Sequence, residues 1–174
     1  MPVKIRPLFQ HAYFVKDLEL AASNWSKQFG AGPFRLVPHH KATEKFHYRG
    51  SPVEADVSYA FGYLGHTMIQ FIVQHDDRPS IYMDMFKKGE EGFHHLAYLT
   101  SDFWGEDKRF TDMGIECACY VGTSNIHSAY YDTRATLGCF TEIHEDPPHM
   151  VERFESWRRA HEQFGGDKVF MALD

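Results

Sequence analysis

The sequence predicts an α+β fold of two tandem β-α-β-β-β modules, whose eight strands form a curved, half-open barrel around a metal, followed by a C-terminal helix. The first observation is a repeated opening strand at His11 and again at His95, each followed by a glycine after 19 residues. The second is a Leu-Gly turn late in each module, at 64–65 and at 137–138. Because a module of this size cannot bury both faces of its own sheet, we expect the two to pack as one unit.

The first module contains one helix between its strands. Runs of β-prone residues predict strands at 9–15, 34–37, 53–61 and 67–73. Asp17 is a suitable N-cap, and apolar residues at helical spacing then continue to Gly30, which favours a helix end. The polar stretch 39–50 carries six basic or histidine side chains and is typical of a solvated loop, or of one that binds an anionic group of a substrate.

The second module repeats this order. Strands are predicted at 93–99, 115–121, 126–133 and 139–144, and Asp102 caps a helix that ends at about residue 113. A short linking helix is predicted at 79–88. The chain 1–174 is therefore expected to be a single domain with module 1 at about 7–75, a linker helix at about 76–90, module 2 at about 91–146 and a C-terminal helix at about 148–164.

The composition excludes several classes of function. The net charge of −6 argues against generic binding to nucleic acid or to an anionic membrane. No apolar run approaches the ~20 residues of a transmembrane helix, and residues 1–10 lack the apolar core of a signal peptide. An odd count of three cysteines without a C-x-x-C pair indicates a reducing compartment, so we expect a cytoplasmic protein.

One polar residue stands at each of four matching strand positions of the repeat. They are His11 and Gln70 in the first module, and His95 and Glu142 in the second. A buried carboxylate without a partner is unfavourable, and a divalent cation removes that penalty. Two imidazoles, an amide oxygen and a carboxylate suit Co, Ni, Zn, Mn or Fe(II), so we predict one such ion per chain. This set would leave two coordination positions for a small-molecule substrate with two adjacent oxygens.

Other histidines compete for these positions, since the chain has 12 of them. His94 is adjacent to His95, and His144 lies two residues beyond Glu142, so each is an alternative ligand. A single histidine on an apolar strand is more often a hydrogen-bonded core residue than a ligand. Only the pairing across the repeat favours the metal interpretation.

Four short motifs, in this order, resemble the vicinal oxygen chelate superfamily, which includes glyoxalase I, methylmalonyl-CoA epimerase, extradiol dioxygenases and bleomycin-resistance proteins. The resemblance covers about residues 7–146. The motifs are HAYFVKDL at 11–18, MIQFI at 68–72, HHLAY at 94–98 and FTEI at 140–143. The ligand order His-Gln-His-Glu is most similar to that of methylmalonyl-CoA epimerase, because glyoxalase I of the bacterial type has Glu in place of Gln70.

The resemblance implies a metal-dependent isomerase, epimerase or lyase that transfers a proton next to a metal-chelated carbonyl. The segment 54–61 resembles the epimerase segment that begins with a glutamate serving as catalytic base, which suggests Glu54 for that role. Ala55 and Asp56 stand where the epimerase has Gln-Gly, so the exact substrate is not implied. Glu142 is the alternative base if it leaves the metal during turnover.

Two other functions remain open from the sequence. An Fe(II) extradiol-type dioxygenase acting on an aromatic diol needs two histidines and a carboxylate with open positions for O₂, and Gln70 would crowd such a site. A non-catalytic, resistance-type protein would bind a small ligand without metal. The resemblance, together with an aromatic content of 16%, also implies a homodimer.

Overall fold

The computed structural model describes residues 4–40 and 46–173, and their strands form one mixed sheet of 11 strands. The strands are β1 (Leu8–Phe14), β2 (Phe34–His40), β3 (Phe46–Tyr48), β4 (Ser51–Pro52), β5 (Val57–Leu64), β6 (Thr67–Gln74), β7 (Gly92–Thr100), β8 (Cys117–Gly122), β9 (His127–Tyr131), β10 (Phe140–Glu145) and β11 (Phe170–Met171). The helices are α1 (Leu18–Phe29), α2 (Phe103–Asp112), α3 (Arg134–Leu137) and α4 (Pro148–Glu162).

Two modules of the predicted type make up the core of this sheet, which is curved and not closed. The first module has the strand order β2-β5-β6-β1 and the second β7-β10-β9-β8, and antiparallel pairing of β1 with β7 joins them. In each module the first strand pairs in parallel with the last, β1 with β6 and β7 with β10. The predicted α+β fold of two joined modules with a C-terminal helix is therefore confirmed.

The main helix of each module begins at the predicted aspartate. Asp17 Oδ1 accepts a hydrogen bond from Leu20 N at 2.9 Å, and Asp102 Oδ1 accepts one from Gly105 N at 3.1 Å. Such a cap satisfies a backbone donor that the first helical turn leaves unpaired. The first helix ends at Gly30, whose φ of 75° is a left-handed conformation that glycine adopts without strain.

The structure contradicts the predicted linking helix, because the segment 76–90, all of it described, contains turns and no α-helix. Ser80 Oγ accepts hydrogen bonds from Tyr82 N at 3.1 Å and from Met83 N at 3.2 Å, and so holds a tight local turn. Ile81 and Tyr82 are each 2% exposed and fill part of the barrel interior. Burial of these two side chains favours the turn over a helix lying on the surface.

The stretch 39–50, predicted as a loop, contains the end of β2 and all of β3, while its residues 41–45 lie outside the described part of the chain. β3 pairs with β8, so a segment of the first module extends the sheet edge of the second. Phe46 and Val53 are buried inside the half-barrel. The prediction failed here because these apolar residues stand among polar ones and the partner strand is remote in sequence. The strand predicted at 53–61 is β5, which begins at Val57.

The C-terminal helix α4 packs on the interior face of the sheet. Its Phe154 and Trp157 are buried against Met68 of β6 and Phe61 of β5. Met68 shares its face of β6 with Gln70, because side chains of a strand alternate between the two faces. This helix therefore covers part of the interior, whereas α1 packs on the outer face.

The described helices and cysteines add two observations. Within 4–40 and 46–173, no helix is long and apolar enough to cross a membrane. Cys117, Cys119 and Cys139 are all free thiols, and the last two are buried. Burial raises the pKa of the Cys117 thiol to about 11, so this side chain is protonated at neutral pH.

Candidate functional site

The two faces of β1 carry different side chains, and His11 lies on the outer one. Gln10, Ala12 and Phe14 point into the half-barrel and are at most 5% exposed. His11 instead contacts Phe93, with ring centroids 6.1 Å apart. The structure therefore does not bring His11 close to the other predicted ligands. Gln10 occupies the position inside the half-barrel that we predicted for His11.

Gln10, Gln70, His95 and Glu142 form one buried polar cluster inside the half-barrel. Gln10 Nε2 lies 2.7 Å from Gln70 Oε1 and 3.2 Å from His95 Nε2. His95 Nε2 also lies 3.2 Å from Glu142 Oε2. Each of these four residues is at most 5% exposed. Three of the four predicted ligands are thus brought together, by β6, β7 and β10.

Equivalent strands of the two modules place these side chains in the same register. In the parallel pair β1–β6, Gln70 lies opposite the residue two positions after Gln10. In the parallel pair β7–β10, Glu142 lies opposite the residue two positions after His95. Gln10 is therefore the counterpart of His95, and Gln70 is the counterpart of Glu142.

The error of one residue in the prediction arose from the lengths of two helices. His11 was matched to His95 through the glycine that follows each after 19 residues, but α1 has 12 residues and α2 has 10. The helix N-caps give the correct match, because Asp17 follows Gln10 by seven residues and Asp102 follows His95 by seven. The distance to the N-cap is the sequence signal that identifies Gln10.

Hydrogen bonds assign the protons of two neighbouring imidazoles. Nε2 of His94 lies 3.1 Å from the carbonyl oxygen of Ile81, which can only accept, so this nitrogen carries a proton. Burial, together with the nearby His95, holds the pKa of His94 well below its ordinary value, so the ring is neutral and its Nδ1 is an acceptor. Nδ1 of His95, 2.8 Å away, therefore donates to it. Nε2 is therefore the nitrogen of His95 that faces the cluster.

Glu142 is ionised at neutral pH although it is buried. Burial raises the pKa of this carboxyl, but hydrogen bonding and charge from His95 outweigh it and leave the pKa lowered. Ser128 Oγ donates a further hydrogen bond to Glu142 Oε1 at 2.6 Å. Burial and the nearby Glu142 raise the pKa of Tyr130 well above its ordinary value, so its hydroxyl is protonated. Ser128 was missed from the sequence, although alternation places it on the same face of β9 as Tyr130.

The geometry of the cluster fits a divalent cation. His95 Nε2 contacts Glu142 Oε2 directly, and Gln10 Nε2 links His95 Nε2 to Gln70 Oε1. Adjacent ligands of an octahedral ion with bonds of about 2.1 Å lie about 3 Å apart, close to the 3.2 Å between His95 and Glu142. An imidazole nitrogen and a carboxylate oxygen this close in a buried site favour a positive charge between them, either a proton or a metal cation that replaces it. Gln10 would contribute its amide oxygen after rotation of the amide group.

The two histidines considered as alternative ligands are engaged elsewhere. Both ring nitrogens of His94 have partners, Ile81 and His95. His144 Nδ1 lies 2.7 Å from the carbonyl oxygen of Glu145, and its ring packs against α4. Neither residue therefore replaces a predicted ligand in this structure.

Glu54 lies on the surface and not in the cluster. Its side chain is 77% exposed, and its carboxylate lies 3.7 Å from the guanidinium of Arg78. The neighbouring Val53 and Ala55 are the buried members of this segment. Alternation of side chains thus turns Glu54 outward, and the structure does not support its predicted role as the catalytic base.

Comparison with known sequences agrees with this architecture. A family model described as the glyoxalase/bleomycin resistance protein/dioxygenase superfamily matches residues 9–131, which is more than half of the chain. No curated protein matches the sequence at a significant level.

Several solved structures share the fold. Methylmalonyl-CoA epimerase from Mycobacterium tuberculosis aligns with a TM-score of 0.54 and 18% identity, over 83% of this chain and 91% of that chain. A hypothetical protein from Bacillus halodurans gives a TM-score of 0.59 and 18% identity, over 83% and 96%. A variant of the Streptomyces coelicolor epimerase in complex with 2-nitronate-propionyl-CoA gives 0.52 and 14%, over 82% and 99%. At these identities the likeness concerns the fold alone.

Proposed function

We propose that this chain, which belongs to the glyoxalase/bleomycin resistance protein/dioxygenase superfamily, is a metal-dependent isomerase, epimerase or lyase. It would transfer a proton at the carbon next to a metal-chelated carbonyl. The observation that carries the proposal is the buried contact between an ionised Glu142 and Nε2 of His95. This contact lies in a cluster to which both modules of the fold contribute.

His95, Glu142, Gln70 and Gln10 would hold the ion. One imidazole, one carboxylate and two amides form a harder ligand set than the predicted set with two imidazoles. Because oxygen ligands suit manganese better than the softer ions, this set favours Mn²⁺ among the predicted metals. When bound, such an ion supplies Lewis-acid stabilisation of the charge that develops on a substrate carbonyl oxygen.

Glu142 is the residue that we assign as the base. Among the described residues it is the carboxylate in the cluster, whereas Glu54 is exposed at the surface. Its lowered pKa keeps it ionised and able to accept a proton at neutral pH. Ser128 holds Oε1 of Glu142, which leaves Oε2 either to hold the ion or, away from it, to take the proton. The protonated hydroxyl of Tyr130 is a neighbouring proton donor.

The substrate would be a small molecule with two adjacent oxygens. Two structural neighbours are methylmalonyl-CoA epimerases in complex with 2-nitronate-propionyl-CoA and with methylmalonyl-CoA and NH₄⁺. Methylmalonyl-CoA is therefore the first compound to test, followed by 2-oxo acids. Phe46, Val53 and α4 cover the interior of the half-barrel, so substrate access requires movement of one of these coverings.

Exchange of the substrate α-hydrogen with deuterated solvent, followed by NMR, tests the proposal. The wild-type protein should catalyse exchange with added Mn²⁺ and not after chelation. Glu142→Gln should slow exchange by about 10²-fold or more, the scale of general-base catalysis. Glu54→Gln is the matched control, because it makes the same chemical change outside the cluster, and its rate should equal that of the wild type.

Other results would redirect the assignment. Slow exchange in Glu54→Gln with normal exchange in Glu142→Gln would restore Glu54 as the base. Metal-dependent O₂ uptake with a catechol would favour the dioxygenase, although His95 is the one histidine of the described chain with a ring nitrogen in the cluster, and that class uses two. Binding of a small ligand without any exchange would favour the resistance-type protein.

A homodimer is part of the proposal. Apolar side chains that remain on the surface include Ile5 and Trp104, which are 84% and 60% exposed. A second copy of the chain would bury such side chains. Light scattering should give a mass near twice 20.2 kDa, and a monomer mass at all concentrations would contradict this.

A further inference from the structure

A second group of metal-ligating side chains lies at the ends of three neighbouring strands. His39 is near the end of β2, Asp56 directly precedes β5, and His75 directly follows β6. The three strands are adjacent in the order β2-β5-β6. From Gln70 to His75 the chain advances roughly 16 Å at the usual rise of a strand. This group is therefore separate from the buried cluster.

The three side chains already contact one another. His39 Nδ1 lies 2.9 Å from Asp56 Oδ1 and 3.0 Å from Asp56 Oδ2. The imidazoles of His39 and His75 are stacked, with centroids 4.6 Å apart. One nitrogen or carboxylate oxygen from each of the three residues lies within 4.8 Å of the others. Small rotations of these side chains would bring all three onto one ion.

The backbone of β2 is irregular where it presents His39. Pairing of β2 with β5 shifts between Val37 and His40, so that β2 carries one extra residue. His39 lies in this bulge with a φ of 46°, a conformation that is uncommon outside glycine. Its N–H donates to Ser58 Oγ at 2.9 Å, and the same oxygen lies 2.6 Å from His75 Nε2. Ser58 thus positions both histidines, as outer-shell partners position metal ligands.

We propose that His39, Asp56 and His75 form a surface site for a divalent transition-metal ion, with Zn²⁺ the best-suited ion. Two imidazoles and one carboxylate match the ligands of zinc sites in which a fourth position holds water. The side chains of His39 and Asp56 are 63% and 41% exposed, so an ion reaches them from solvent without opening the fold. A bound ion ties the ends of β2, β5 and β6 together and stabilises the folded chain.

Zinc content after equilibrium dialysis against micromolar Zn²⁺, measured by mass spectrometry, tests the site. His75→Ala and Asp56→Asn should each bind one Zn²⁺ per chain fewer than the wild type. Glu142→Gln alters only the buried cluster and should retain the zinc that His75→Ala loses, so the result does not depend on the proposed function. His66→Ala removes an exposed histidine from the turn between β5 and β6, and this control should bind zinc like the wild type.

The variant His39→Asn tests the contribution of the imidazole separately from that of the backbone conformation. Asparagine tolerates the left-handed conformation, so the bulge persists while the imidazole is lost, and zinc affinity should fall by more than about tenfold. Zn²⁺ should also raise the Tm of Glu142→Gln, and this rise should be absent when His75→Ala is added to that variant. Equal zinc content in the wild type and His75→Ala would overturn the proposal and leave an ordinary His–Asp contact.

Discussion

The two modules supply equivalent positions of the buried cluster with different chemistry. The first module contributes two neutral amides, Gln10 and Gln70, and the second contributes an imidazole and an ionised carboxylate, His95 and Glu142. Both pairs have the same strand register, so the backbone does not account for the difference. The fold fixes where the donor atoms lie, and the side chains of the second module supply the charge.

The largest expected difference between the modules is in metal affinity. His95→Ala should weaken Mn²⁺ binding by more than about 100-fold, because it removes a residue that binds the ion directly. Loss of an outer-shell partner alone typically lowers metal affinity by about 10–100-fold. Gln10→Ala should weaken binding by less than about tenfold, because it removes a neutral amide. The electron paramagnetic resonance signal of free Mn²⁺ measures both affinities. Equal losses in the two variants would show that the modules contribute alike.

The hydrogen bond from His95 to His94 offers a second test of the difference between the modules, because it orients the imidazole that the second module contributes to the cluster. His94→Phe removes the acceptor for His95 Nδ1–H and should weaken Mn²⁺ binding by about 10–100-fold. His94→Gln retains an acceptor oxygen and should restore part of the affinity. A purely structural role for His94 would lower the Tm in both variants without this difference in metal affinity.

Making the first module resemble the second should increase affinity. Gln10→His places an imidazole at the position equivalent to His95, and it should tighten Zn²⁺ or Co²⁺ binding by about tenfold because these ions favour nitrogen ligands. Isothermal titration calorimetry measures the change. His11→Ala is the matched control and should leave affinity unchanged, because His11 lies on the outer face. A loss in His11→Ala with no gain in Gln10→His would restore the predicted ligand.

The smallest effect concerns the two main helices, which are anchored differently. Four residues after the N-cap, α1 has the apolar Ala21 whereas α2 has the charged Glu106. Glu106 is 3% exposed and accepts hydrogen bonds from Arg6 and Arg109. Glu106→Gln should lower the free energy of unfolding at pH 7 by about 1 kcal/mol, the difference between charged and neutral hydrogen bonds. Urea denaturation measures this change.

The pH dependence of that effect follows from the pKa of Glu106. Burial raises this pKa, but hydrogen bonds from Arg6 and Arg109 outweigh it and leave the pKa well below its ordinary value. The stabilisation is therefore fully present above the unfolded value of about 4.3 and is lost as the pH falls through the folded pKa. The difference between the wild type and Glu106→Gln should shrink below about pH 4. A difference that grew on acidification would contradict this assignment.

The parts of the structure that local sequence determines were predictable. Asp17 and Asp102 cap their helices, and the strands that carry Gln70 and Glu142 follow their turns as expected. The prediction failed where remote contacts decide the structure. Pairing of β3 with β8 and insertion of Ile81 into the interior depend on neighbours distant in sequence.

The candidate site was predictable only in part, because it depends on which face of a strand each residue occupies. An error of one residue exchanges the faces, so His11 was placed inside and Gln10 was overlooked. The same limit applies to Glu54, whose position near a strand start does not determine its orientation. Gln70, His95 and Glu142 come together because β6, β1, β7 and β10 are neighbours in the sheet.

Anomalous diffraction at the manganese edge, from crystals of the wild-type protein grown with Mn²⁺, tests the central claim most directly. One peak should lie within bonding distance of His95 Nε2, Glu142 Oε2 and Gln70 Oε1, with Gln10 beside it and His11 on the far side of β1. A peak bonded to His11, or an empty cluster at saturating Mn²⁺, would contradict the account.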